Sequence, residues 1–294
     1  MKRYLCILLL SLLLCGCGSR QEPAQIAATT LPVYEFTARL CEGTPLTVTR
    51  LVTEQVSCLH DYSLNVRQVK AAEAAEVIVI SGAGLEDFMA DILQDANRID
   101  ASAGIPLLTP GEHHHHGEEP EAHHEEHHHD SDPHIWLSPA NASAMARNIC
   151  LGLEAQYPQY ADTFRNNRDN LEQELERLRQ YGLQQLSALS CRELITFHDG
   201  FSYLAESFDL HILEAVEEES GSEASARELI HLIEEVEHHK LPAIFTEVSG
   251  SVSAASVIAR ETGCKTRALD MAMAGDSYFG AMYHNIDTIK EALG

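Results

Sequence analysis

The chain has 294 residues, and its 45 Asp and Glu against 20 Lys and Arg give a formal net charge of -25. A field this acidic repels nucleic acid and anionic lipid surfaces and favours a cation as ligand. The length accommodates two domains of ordinary size, each able to bury its own core.

At the start, Met1-Lys2-Arg3 is basic and the following apolar run over 4–14 is too short for a permanent span, which needs roughly 20 apolar residues. This is the layout of a secretory signal. It ends in Leu14-Cys15-Gly16-Cys17, which resembles a bacterial lipobox, where the cysteine after a small residue is lipidated and becomes the new N-terminus. Residues 1–16 are therefore expected to leave as signal peptide. Cys17 is the expected lipid anchor and 17–24 a tether, holding a soluble domain at the extracytoplasmic face of the cell membrane.

From residue 25 the pattern alternates. Strands are expected over 25–30, 46–52, 77–81 and 105–109, with helices over 66–75 and, after the Gly82-Ala83-Gly84 turn, over 85–94. Such βα alternation implies a parallel sheet flanked by helices. Residues 113–129 interrupt it with nine histidines among Glu, Gly and Pro. A tract this polar cannot bury enough apolar surface to order itself, and a mobile loop is expected. Inside it His124-Glu125-Glu126-His127-His128 satisfies a metalloprotease pattern by composition alone, because the helix that would set two histidines one turn apart is missing.

After Pro139 the period becomes helical over 141–156 and 159–188, with Tyr160, Phe164, Leu171, Leu175, Leu178, Leu183 and Leu186 marking one face of the second helix. A helix near 30 residues would be roughly 45 Å long, enough to bridge two lobes. Alternation then resumes, with strands over 193–197, 210–216, 243–246 and 266–269 and helices over 200–207, 224–238, 253–262 and 282–293. The expected fold is α/β: an N-terminal lobe over 25–140, a helical linker over 141–190 with the long spine helix, and a C-terminal lobe over 191–294. Each lobe carries a parallel sheet, and the cleft between them is the natural ligand site.

Outside the leader and anchor, Cys41, Cys58, Cys150, Cys191 and Cys264 remain, an odd number whose pairing spacing does not fix. Cys41 and Cys58 flank the strand over 46–52 and are the candidate pair. No Gly-x-Ser-x-Gly elbow or phosphate-binding Gly-rich loop occurs, and no catalysis is expected.

Three histidines stand apart from the His-rich tract, at strand ends or in loops: His60, His134 and His198. Each has an acidic neighbour (Asp61, Asp132, Asp199) of the kind that accepts the second ring N–H of a ligating imidazole. A lone loop histidine is usually only hydrogen-bonded, and these three carry weight only if they converge. In open parallel sheets ligands gather at the carboxyl ends of the strands, where these lie.

The stretches His60-Asp61-Tyr62-Ser63-Leu64, Val77-Ile78-Val79-Ile80-Ser81-Gly82-Ala83-Gly84-Leu85-Glu86, Asp132-Pro133-His134-Ile135-Trp136-Leu137-Ser138-Pro139, Thr196-Phe197-His198-Asp199-Gly200-Phe201-Ser202-Tyr203, Ile244-Phe245-Thr246-Glu247 and Leu269-Asp270 resemble, in order, the zinc- and manganese-binding lipoprotein receptors of ABC importers. The resemblance implies that His60, His134 and His198 bind one metal in the interlobe cleft. It makes Asp270 the candidate fourth ligand, with Glu247 or water as alternatives. It further implies an ABC permease with its ATPase as partner and a monomeric receptor. The chain departs from the family pattern at Leu59, where Pro is usual, and at Met271-Ala272-Met273-Ala274, where Pro-Leu-Gly usually follows the late Asp. An imidazole-rich set suits Zn²⁺ better than Mn²⁺, which prefers oxygen. The His-rich loop is expected to collect zinc for this site. The alternative reading is a surface adhesion or metal-buffering lipoprotein working through that tract.

Overall fold

A computed structural model describes residues 25–56, 59, 62–109, 131–216 and 224–294. The signal segment, Cys17, Cys58, His60, Asp61 and the His-rich tract lie outside the described residues. In chain order the elements are β1 (Ile26–Ala28), α1 (Leu31–Leu40), β2 (Val48–Arg50), α2 (Val66–Ala74), β3 (Val77–Ile80), α3 (Ala90–Leu93), β4 (Arg98–Asp100), α4 (Pro139–Gln156), α5 (Ala161–Gln185), β5 (Glu193–Thr196), α6 (Ser202–Ser207), β6 (His211–Ala215), α7 (Ala226–His239), β7 (Ala243–Glu247), α8 (Ser253–Thr262), β8 (Lys265–Leu269) and α9 (Tyr278–Leu293).

Two four-stranded parallel sheets result, ordered β2-β1-β3-β4 and β6-β5-β7-β8. The order is the same in both halves, so each sheet reverses direction of winding beside its first strand. Alternation within the strands separates two faces. Ala27, Ile78 and Ile80 pack with Ala72, Met89 and Leu93 on one side of the first sheet. Ile26, Ala28, Val77 and Val79 face α1 and α4 on the other. In the second sheet Ile195, Phe197 and Ile244 pack on α7 and α8, while Leu194, Ala243, Phe245 and Leu269 join the same core as the inner face of the first.

Helix boundaries follow local chemistry. Asn65 caps α2 and Ser225 caps α7, each in a reciprocal box with the residue three positions on, Gln68 and Glu228. Ser138 caps α4, with Pro139 in the first turn where its missing N–H costs nothing. Gly263, at φ +77°, ends α8. The spine α5 has 25 residues, about 37 Å at 1.5 Å per residue. It buries Phe164, Leu171, Leu175 and Leu178, each contributing roughly 1.5–3 kcal/mol, in the core shared by the two halves. Among the described residues no helix is long and apolar enough to cross a membrane.

Two expectations are corrected. Residues 105–109 form no strand; the edge strand is β4, where only Ile99 points inward, in the pattern exposed, buried, exposed. Pro106 lacks the N–H that a ladder at 105–109 would need. The helix expected over 85–94 is a 3-10 turn, Asp87–Met89, followed by the single turn α3. In addition α1, absent from the sequence reading, buries Leu31, Val33, Phe36 and Leu40 in the shared core.

The lobes are bonded together along one seam. Leu31 N donates to Met273 O (3.2 Å), Tyr278 N to Glu35 Oε2 (2.6 Å), Arg50 Nη1 to Gly275 O (2.7 Å) and Trp136 Nε1 to Met271 O (2.7 Å). The Tyr278 hydroxyl donates to Trp136 O (2.8 Å), and its ring meets Phe36 edge to face at 5.0 Å.

Candidate metal centre

Parallel sheets of this order bind ligands outside the carboxyl ends of their strands, at the point where the winding reverses. In the second sheet that point lies between β5 and β7. His198 follows β5 and Glu247 ends β7, so the sheet itself brings together an imidazole and a carboxylate that lie 49 positions apart in the chain. Glu247 Oε1 is 3.7 Å from His198 Nδ1, and Glu247 is only 4% exposed. The His198 backbone is held by Thr196 Oγ1, which donates to its carbonyl at 3.1 Å.

His134 enters from the other lobe. It sits just before the 3-10 turn Ile135–Leu137 that leads into α4, and it is 4% exposed. Asp132 Oδ1 accepts from both the backbone N–H and the ring Nδ1 of His134, each at 2.8 Å. An ionised carboxylate only accepts, so this contact assigns the ring proton to Nδ1 and leaves Nε2 with the lone pair a metal needs. The Asp132 backbone is fixed in turn: the Tyr203 hydroxyl donates to its carbonyl at 3.0 Å and accepts from Leu108 N at 2.9 Å. The His134 ring rests against Trp136 (5.4 Å, 68°) and faces His198 with centroids 5.3 Å apart and planes at 81°. Two imidazoles 64 positions apart in sequence thus share one small volume, with Gly200 and Met271 beside them.

Asp270, at the end of β8, is occupied with its own turn. Its Oδ1 accepts from Ala272 N (2.7 Å), while Asn285 receives its backbone N–H and donates to its backbone carbonyl, both at 2.7 Å. The turn places Ala272 at φ +53°, a conformation that costs a non-glycine residue energy and is held here by this Asp270 bond and the seam bonds of Met271 and Met273. Among the described residues no three His, Cys, Asp or Glu side chains are gathered closely enough to enclose an ion. The third imidazole of the expected set, His60, lies outside them. Chemically the pair fits a borderline divalent cation: two buried or half-buried neutral imidazoles, one backed by a carboxylate, with a second carboxylate at hand.

A second buried carboxylate marks the matching point of the first sheet. Glu86 accepts from Thr29 Oγ1 (2.6 Å), Ser81 N (2.7 Å) and Gly82 N (2.9 Å), tying the ends of β1 and β3. Burial pushes its carboxyl up to about 7, against the pull of these three donors. Nothing in the sequence singled it out except its place after the Gly82-Ala83-Gly84 turn. Gly82 adopts φ +82°, Ala83 +55° and Gly84 +86°; the Gly82 N–H meets the carboxylate, while the Ala83 N–H turns away to Ser102 Oγ at 3.0 Å. Cys41, Cys150, Cys191 and Cys264 are free thiols. Burial pushes Cys41 and Cys150 up to about 12, which disfavours the free thiolate.

The family described as ZnuA, zinc-uptake complex component A, periplasmic, matches residues 26–292. The zinc-binding lipoprotein AdcA of Streptococcus pneumoniae serotype 4 (strain ATCC BAA-334 / TIGR4) is 29% identical over 299 residues, covering 96% of this chain and 59% of its own length. The chain therefore spans about three fifths of that relative. A crystal structure of ZnuA superposes with a TM-score of 0.77 at 27% identity, over 92% of this chain and 100% of its own. The Zn(II)-bound ZnuA-like domain of Streptococcus pneumoniae AdcA does so with a TM-score of 0.76 at 26% identity, over 92% and 98%.

Proposed function

The chain belongs to the periplasmic zinc-uptake component A family, and from that premise we propose that it captures Zn²⁺ outside the cytoplasmic membrane and delivers it to an ABC importer. The observation that carries the reading is the facing pair His134 and His198, one from each lobe, with the His134 ring oriented by Asp132. His60 is the third ligand in this proposal. The fourth position falls to Asp270, Glu247 or water, and Glu247 gains ground from its 3.7 Å approach to His198.

Three neutral imidazoles displace water from Zn²⁺ and set a tetrahedral site that oxygen-preferring Mn²⁺ fits less well. Binding weakens on acidification, because an imidazolium has no lone pair to give. Cys17 as lipid anchor keeps the receptor at the membrane face, where a permease with its ATPase takes the metal, and the receptor acts as a monomer. The His-rich tract over 113–129 collects zinc for the cleft with lower affinity, since loose side chains must be ordered on binding.

The test is metal analysis and zinc titration of the purified mature chain beside His60→Ala, His134→Ala and His198→Ala. One tight zinc per chain, lost or greatly weakened in each variant, supports the reading. Tight binding that survives all three substitutions contradicts it.

A further inference from the structure

We infer that Gly200 is a positioning residue for the metal: its missing side chain is what allows the two imidazoles to stand edge to face, with ring centres 5.3 Å apart. The inference rests on the zinc reading of His134 and His198. Gly200 is not among the residues with positive φ, so its backbone conformation is open to alanine and the demand for glycine is one of space. A Cβ built there would lie 2.5 Å from Met271 Cε, 2.7 Å from His198 Cδ2 and 3.0 Å from His134 Nδ1. All three approaches are closer than ordinary van der Waals contact.

The three neighbours do not yield equally. The tip of Met271 is the end of a flexible, unbranched side chain and moves aside at little cost. The imidazoles have less freedom. His134 Nδ1 is held at 2.8 Å by Asp132, its ring rests on Trp136, and the Trp136 indole is bonded to Met271 O. His198 has its backbone carbonyl fixed by Thr196 and its ring against His134. A methyl at 200 therefore turns the His198 ring and presses on the nitrogen that Asp132 orients. Metal–imidazole bonds tolerate displacements of only about 0.2 Å, so the shift falls on the coordination geometry.

The experiment compares wild type, Gly200→Ala and the double variant Gly200→Ala/Met271→Ala. It reads zinc affinity by chelator competition, the visible absorption of the Co²⁺ form, and thermal melting of the metal-free chain. Gly200→Ala is expected to bind zinc at least tenfold more weakly, with a shifted Co²⁺ band. The double variant, relieved of the Met271 contact but missing a buried side chain, is expected to melt below wild type and still bind weakly. Wild-type affinity and an unchanged Co²⁺ spectrum in Gly200→Ala would overturn the inference. So would recovery of affinity in the double variant, because the methyl would then act through packing on Met271 and not through the imidazoles. Should Gly200→Ala fail to fold, the double variant carries the same test, and its failure to fold as well would also overturn the claim. Absence of tight zinc binding in wild type would sink the zinc reading itself, which separates the two failures.

Discussion

Removing the carboxylate behind His134 gives the most specific test of how the site works. Asp132 Oδ1 accepts two buried hydrogen bonds at 2.8 Å, one from the His134 backbone and one from its ring, and both side chains are 5% exposed. In Asp132→Ala the ring N–H loses its acceptor in a place water does not easily reach, and the imidazole loses both its fixed tautomer and its orientation. Loss of such a partner typically costs 10–100-fold in metal affinity, which is about 1.4–2.7 kcal/mol. Asp132→Asn keeps an oxygen in the Oδ1 position and gives up only the charge. A charge-assisted bond is about twice as strong as a neutral one, so the asparagine variant is expected to lose less than tenfold. Competition titration against a zinc chelator at fixed pH and ionic strength measures both. Equal affinity for wild type and Asp132→Ala would refute the reasoning, and so would an asparagine variant weaker than the alanine one.

Glu86 makes stability fall with rising pH. Its folded-state carboxyl is pushed up to about 7 from an ordinary 4.5, so between those values the native chain holds a proton the unfolded chain has released. The contribution is complete below pH 4.5 and is lost as the pH passes about 7, a difference of about 3 kcal/mol. Urea unfolding of wild type relative to Glu86→Gln should show that decline across pH 4.5 to 7.5; a flat or rising difference would contradict it. Deletion of residues 113–129 should leave one tight zinc per chain by calorimetry, with only weaker sites lost. Solution scattering should give the same radius of gyration with and without zinc, because the core is continuous and the seam of Met271, Met273, Gly275 and Tyr278 ties the lobes; a clear compaction would show that the seam opens.

Much of this fold is written in local pattern. The boundaries of α8 agree with the sequence reading, set by its apolar period and Gly263, and α2 begins at the expected residue 66, where the structure shows the Asn65 and Gln68 box. The strands are legible because burial on both faces demands continuous apolar runs such as Val77–Ile80. What was missed has tertiary causes. The strand expected over 25–30 ends at Ala28, and Pro32 lies in the first turn of α1, a helix stabilised by the shared core it fills. The exposed edge strand β4 has one inward residue and no alternation long enough to detect. At the site, His134 and His198 were legible as candidates from their acidic neighbours and their places in the chain. The Glu247 approach, the Glu86 network and the tight space at Gly200 exist only once the strands are laid side by side.

The central claim is that three imidazoles from separate parts of the chain enclose one zinc ion. X-ray absorption at the zinc edge, on the variant lacking residues 113–129 loaded with one equivalent of zinc, counts those ligands directly. The account predicts three imidazole nitrogens at about 2.0–2.1 Å with one light oxygen scatterer. A sulfur shell near about 2.3 Å, or fewer than three imidazoles, would contradict it.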